Sequence, residues 1–294
     1  MAENAEIKAR IASVADTKKI TDAMYMISSV KLKKAQREVE NTAPYFRALR
    51  EQVSELFKHM PKTDNKYFKA FEKDAEHDHK HGLLLVTSDK GLAGSYNQTI
   101  LSKCEEWLKI HKQIKLFVVG EYGRQYLTAK NIPFEKHFCY SADFPTVWRA
   151  RMICEDLLEQ FNDGLLDEID IIYTTHTGNS VGTCKQRVLL PLEHIGIAHN
   201  DNDAQYGETE YYPSLDAVLS GVVPSLLTGY IYGALVDSFC SEQQARMTAM
   251  SSASRNAEEM LKELTLKYNR LRQASITREI TEITAGARAL KRKN

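Results

Sequence analysis

The chain has 294 residues, 43% of them hydrophobic and 27% charged, with 39 basic and 39 acidic side chains that cancel. That length holds one large or two modest domains, and the composition is that of a soluble protein. No apolar run is expected to approach the length of a membrane span, and Met1 to Arg10 has neither a signal-type apolar core nor an acid-free presequence, so membrane-spanning and secreted classes are set aside.

The zero net charge hides segregation. Lys8 to Arg37 carries eight basic and two acidic residues, and Arg270 to Asn294 seven and two. Glu155 to Asp170 carries seven acids and no base, and Asp201 to Asp216 five acids and no base. Basic ends and an acidic body suit a protein whose two regions meet different partners. Nucleic acid is not the expected partner, because the basic stretches lack interleaved aromatics apart from Tyr25. Five cysteines (Cys104, Cys139, Cys154, Cys184, Cys240) with no C-x-x-C pair read as buried structural thiols of a protein in a reducing compartment.

In chain order, the first element is a helix over about 1–60. Ile7, Ile11 and Val14, then Ile20, Met24 and Ile27, step by helical spacing. Pro44 predicts a kink or break near Asn41 to Pro44, since proline removes a backbone donor and clashes with the preceding turn. The polar, histidine-rich stretch 61–81 reads as a linker. His77, His79 and His81 alternate there, but no further ligands stand nearby in sequence, so a solvated linker is the reading.

A central domain follows over 82–214. Strands are expected at 82–87, 114–119, 132–138 and 169–174, with helices at 96–111, 121–130 and 147–161, and a further strand at 185–190 antiparallel to its neighbour. This alternation predicts an α/β fold with a doubly wound, mostly parallel sheet. The run Ser88-Asp89-Lys90-Gly91-Leu92-Ala93-Gly94-Ser95 sits where a phosphate loop would, but has neither the GxGxxG nor the GxxxxGK[ST] spacing. It reads as a tight strand-to-helix turn that needs its glycines. No catalytic constellation, metal site or cofactor motif stands out elsewhere. His176, at the end of a predicted strand, reads as structural.

The last element, 215–294, is a second long helix, loosened at its start by Gly221, Pro224 and Gly229. Ala253, Ala257, Met260, Leu264, Tyr268 and Leu271 form its stripe, which then shifts to Ile276, Ile280, Ile283 and Leu290. The two terminal stripes most simply bury against each other as an antiparallel coiled coil. Ala23 to Val30 and Gln273 to Ala289 are small or apolar nearly all round, as in a tip enclosed by a partner.

These residues resemble a known family. Ile7-Lys8-Ala9-Arg10-Ile11-Ala12-Ser13-Val14, Thr17 to Thr21, Ala23-Met24-Tyr25-Met26 and Lys31 to Gln36 look like the first helix of F-type ATP synthase gamma subunits. Ser88 to Gly94 with Asn97 resembles that family's SD[RK]GLxG motif. Ser241-Glu242-Gln243-Gln244-Ala245-Arg246-Met247, Tyr268-Asn269-Arg270 and Arg272 to Thr277 with Glu279-Ile280 resemble its last helix.

The resemblance implies a rotor without chemistry, metal or cofactor of its own. Its helices would turn inside a ring of three α and three β subunits. Its central domain would stand on the c-subunit ring beside the ε subunit, at the cytoplasmic face of a bacterial-type plasma membrane that it meets only through the complex. Met24, Arg246, Arg272, Gln273, Thr277 and Glu279 would form the bearing and β-subunit contacts, and Glu210, Tyr211 and Tyr212 the foot. Asp22 stands where the family usually has Lys or Arg, and Arg278 where it has Gln. A phosphate-binding enzyme built on the central domain, or a passive coiled-coil scaffold, are the alternative readings.

Overall fold

The computed structural model describes residues 2–58, 67, 79–177, 180–192, 212 and 214–291. Among the described residues five helices and four strands run in the order α1 (Ala2–Lys58), β1 (Lys80–Val86), α2 (Tyr96–Ile110), β2 (Gln113–Val119), α3 (Glu121–Ala129), α4 (Val147–Asn162), β3 (Glu168–Thr177), β4 (Ser180–Leu190) and α5 (Leu215–Lys291). The chain divides into two compact units: Met1–Ser28 with Met247–Asn294, and Ser29–Arg246. The division falls inside both long helices, not at 60 and 215 where composition changes.

In the larger unit the sheet order is β2-β1-β3-β4. β1 pairs in parallel with β2 and β3, while β4 runs antiparallel to β3. A parallel β1–α2–β2 connection followed by a β2–α4–β3 crossover over β1 places helices on both faces, because such crossovers are right-handed. The pleat sorts the side chains accordingly. Leu83, Leu85, Leu116, Val118 and Ile172 form one core with Ala93, Tyr96, Ile100, Cys104 and Trp107. Leu84, Phe117 and Ile171 are equally buried on the other face, where the α4 stripe Ala150, Ile153, Leu157 and Phe161 is buried too. Lys115 of β2 reaches the α4 residue Gln160 at 2.7 Å.

Four sequence expectations change. Residues 132–138 are not a strand; only Tyr140 bridges to Val119. β1 begins at Lys80, so His81 belongs to the sheet and not to a linker.

The helix α1 also runs unbroken through Pro44. The lost hydrogen bond is offset because both flanks are pinned: Leu32, Ala35 and Val53 are buried, and the Phe46 ring lies 5.6 Å from that of Tyr232. Gly229 makes that approach possible, since a Cβ there would stand 2.6 Å from Phe46. Far from loosening α5, Gly221, Pro224 and Gly229 all lie within it.

Finally, α5 is long and apolar enough by composition to cross a membrane, with a window of mean hydropathy 1.5. Half of that window is buried inside the protein, which is how a core helix passes the same test.

Candidate functional site

The smaller unit pairs the start of α1 with the end of α5. Ile7, Thr21 and Ser28 are buried on the first segment, Met250 and Ala257 on the second. Ile11, Val14, Met24, Leu264, Tyr268 and Leu271 are half-buried beside them. Small side chains such as Ser28 and Ala257 let the backbones approach closely. Asp22 accepts a hydrogen bond from Ser254 and lies 3.6 Å from Lys18. An acid at position 22 is thus held locally by the partner helix.

The outer surface of this unit is the unusual part. Ile20 (61%), Met26 (68%) and Ile27 (57%) stand exposed on α1, and Ile280 (60%) and Ile283 (73%) on α5. Of the apolar triplet Ile20, Met24 and Ile27, only Met24 turns partly inward. Scattered single apolar residues need no explanation, but Ile20, Met26 and Ile27 close together on α1, and Ile280 and Ile283 together near the end of α5, form two apolar patches of the kind that mark interaction surfaces. Arg272, Gln273, Thr277 and Glu279 are exposed on α5, where their only described hydrogen bonds are within the helix: Thr281 to the Thr277 carbonyl and Ser275 to Glu279. Arg278 is exposed too.

Arg246 is placed elsewhere. It is 7% exposed, inside the larger unit. Its Nη2 donates to the carbonyls of Lys90 (3.1 Å) and Gly91 (3.2 Å) and to Glu242 Oε1 (2.5 Å). A guanidinium so enclosed is a clamp within the fold. Tyr212 is 93% exposed; Glu210 and Tyr211, like His77, lie outside the described residues.

The turn after β1 is the second built feature. Ser88 N–H and Oγ both meet Asn97 Oδ1, at 3.1 and 3.0 Å. The left-handed positions are Leu92 and Gly94, not Gly91. Gly120, at φ +96°, closes the neighbouring turn, and any Cβ there would lie 2.5 Å from the Thr87 carbonyl.

The Asp89 carboxylate accepts from Glu121 N (3.1 Å), Ala142 N (3.1 Å), Asp143 N (3.0 Å) and Ser141 Oγ (2.5 Å). Burial pushes this carboxyl up, but those four donors outweigh burial and hold it below the ordinary carboxylate value. The motif's acid is therefore a knot between three loops.

A group whose folded pKa is depressed contributes stability that is complete above its unfolded pKa and lost as pH falls through the folded value. Asp89→Asn should therefore destabilise the chain by about 2–3 kcal/mol at neutral pH. The deficit should shrink below about pH 4, where the carboxyl of the unfolded chain protonates first and that of the folded chain follows at lower pH. Urea melts of both proteins at pH 7 and pH 3 measure this, and an equal deficit at both would refute it.

The carboxyl ends of β1 and β3 form the crevice where doubly wound sheets bind ligands. Here α5 fills it. Ser238 Oγ accepts from Thr174 N at 3.2 Å, and Ser241, Glu242, Gln243 and Arg246 are all buried.

Comparison with known proteins agrees with this architecture. The sequence profile of the ATP synthase family matches residues 3–290. The gamma chain of Acetivibrio thermocellus ATP synthase is 40% identical over 297 residues, covering 99% of this chain and all of that one. The chain belongs to the ATP synthase gamma chain family.

The sodium ion specific gamma chain of Acetobacterium woodii is 33% identical over 306 residues, with 99% and 100% coverage. Among solved structures, a chain of the Euglena gracilis mitochondrial ATP synthase (OSCP/F1/c-ring, rotational state 3) superposes with a TM-score of 0.67 at 16% identity, covering 97% of this chain and 95% of that one. The central stalk/c-ring structure of the Tetrahymena thermophila enzyme gives 0.57 at 23%, covering 80% and 99%.

Proposed function

We propose that the chain is the rotating central stalk of an F-type ATP synthase, coupling ion flow through a membrane ring to ATP synthesis or hydrolysis in a ring of α and β subunits. The observation that carries this reading is the apolar outer surface of the terminal helices, at Ile20, Met26, Ile27, Ile280 and Ile283. Arg272, Gln273, Thr277 and Glu279 then meet β subunits, and Tyr212, with Glu210 and Tyr211, faces the ε subunit and the c ring. The chain works without a catalytic centre, because α5 occupies the crevice that a nucleotide would need. It sits peripherally at the cytoplasmic face of a bacterial-type membrane, held there by the complex.

Co-expression with α and β subunits tests this. A tagged chain should recover both partners in an ATPase-active complex, while the chain alone turns over no ATP and binds a hydrophobic dye. Ile20→Asp with Ile27→Asp, both on the exposed surface, should leave the chain folded. Losing two buried isoleucine contacts removes about 3 kcal/mol, roughly a hundredfold in affinity. Equal recovery of α and β with that variant, or turnover by the chain alone that Asp89→Asn abolishes, would overturn the proposal, the latter in favour of the enzyme reading.

A further inference from the structure

At the opposite end of the sheet from the filled crevice, three side chains from separate elements converge. His81 is the second residue of β1, Asp170 the third of β3, and His111 follows the last turn of α2. In the parallel register His81 stands beside Glu168, and Leu83 beside Asp170, so the pleat points His81, Glu168 and Asp170 to the α2 face. One ligand atom from each of His81, His111 and Asp170 lies within 4.8 Å of the others. Among the described residues no other three metal-type side chains meet in this way.

The surroundings orient these groups as ligands. His111 Nδ1 is 2.9 Å from the Trp107 carbonyl. A carbonyl only accepts, so Nδ1 carries the proton and Nε2 keeps its lone pair. The Trp107 ring stacks on His111 at 4.1 Å between centroids, and the His81 ring meets His111 at 4.3 Å. Asp170, 1% exposed, accepts from Trp107 Nε1 at 2.9 Å and from Gln186 Nε2 at 3.5 Å. Hydrogen bonds of this kind, from imidazole N–H to carbonyl and from donor to carboxylate, are what fix ligands around metal ions. His81 Nδ1 is buried with no hydrogen-bond partner; its nearest acid is Glu168 Oε1 at 4.0 Å.

We propose that His81, His111 and Asp170 bind a divalent transition-metal ion of the zinc class, with Glu168 as the fourth ligand. Two imidazoles and a carboxylate suit zinc, whereas calcium and magnesium take all-oxygen shells. Bonds of about 2.0–2.2 Å in a tetrahedron put ligand atoms roughly 3.4 Å apart, so side-chain rotations of about an ångström bring His81, His111 and Asp170 to that spacing, with the Glu168 carboxylate 4.0 Å from His81. Burial, and then His111, hold His81 below its ordinary value, which keeps its ring neutral near pH 7; burial pushes Asp170 up, a penalty that a neighbouring cation would relieve. The ion would tie the starts of β1 and β3 to the end of α2. Nothing in the rotary reading requires it, so the two stand or fall separately.

The test uses the full chain, stripped with a chelator and titrated with zinc against a chelating indicator. The expected result is one equivalent bound with Kd of about 1 µM or tighter, and a Tm that rises with free zinc. His111→Ala and Asp170→Asn should each weaken binding by about tenfold or more, while His137→Ala, on an exposed histidine, should not. Cobalt replaces zinc in a second readout that needs no variant: four-coordinate cobalt absorbs strongly in the visible, and octahedral cobalt only weakly. A weak octahedral spectrum, zinc binding weaker than about 100 µM, or unchanged affinity in folded His111→Ala and Asp170→Asn would overturn the proposal.

Discussion

Replacing Arg246 with alanine should destabilise the central unit by about 3–5 kcal/mol, because removing one partner of a buried pair strands the other charge. Glu242 is 5% exposed, and burial already outweighs the guanidinium in pushing its carboxyl up. The carbonyls of Lys90 and Gly91 lose their donor in the same step.

The direction with pH follows. A carboxyl whose folded pKa is raised contributes stability at low pH that is lost as pH rises through the folded value. Without Arg246 that value rises further, so the deficit of Arg246→Ala should grow from pH 5 to pH 8. Adding Glu242→Gln should recover a large part of it, since no stranded charge remains. Chemical denaturation of the two single variants and the double variant closes the cycle. A loss under 1 kcal/mol for Arg246→Ala, or no recovery in the double, would show that the pair is not what holds the turn after β1 to α5.

The second large effect concerns rotation. Met24 is half-buried, and its neighbours Tyr25, Met26 and Ile27 are exposed. An unbranched thioether adapts to changing contacts without a fixed hydrogen bond. Met24→Lys places a strongly hydrated charge there, which finds an acidic group in some rotor positions and not in others. A position-dependent ion pair of this sort is worth on the order of 2–5 kcal/mol, and it acts as a barrier to turning. ATP hydrolysis and assembly should stay close to wild type, while ATP-driven ion pumping per ATP hydrolysed falls several-fold. Pumping by membrane vesicles, normalised to ATPase rate over a range of temperatures, measures it. An unchanged ratio would remove this face of α1 from the bearing.

What was legible in the sequence was whatever depends on period. The βα alternation and the antiparallel β4 follow from runs such as GLLLVT and IDIIYT, and the stripe Ala253 to Leu271 does lie inward except at Met260. What was not legible depends on contacts distant in sequence. Pro44 reads as a break because its cost is local, while its compensation comes from Phe46 against Tyr232, far along the chain. The enclosure of Arg246 depends on the turn at Lys90, 156 positions away, closing over it. His81 lacks ligand neighbours in sequence; His111 and Asp170 reach it through a helix end and a parallel strand. A signal was available for Arg246, since Glu242 and Arg246 stand four apart on one helix face.

The segment 132–138, expected as a strand, has a use of its own together with Tyr140. β2 is one of the two outer strands of the sheet, and an outer strand offers unpaired backbone groups to any other chain. Glu135 N donates to Leu116 O at 2.8 Å and Gly120 N to Tyr140 O at 3.0 Å, while the Lys115–Glu135 pair at 3.3 Å lays charge across the same margin. The margin is thereby closed to strand addition from another molecule, so a gamma chain synthesised ahead of its partners is guarded against cross-β polymerisation along that side.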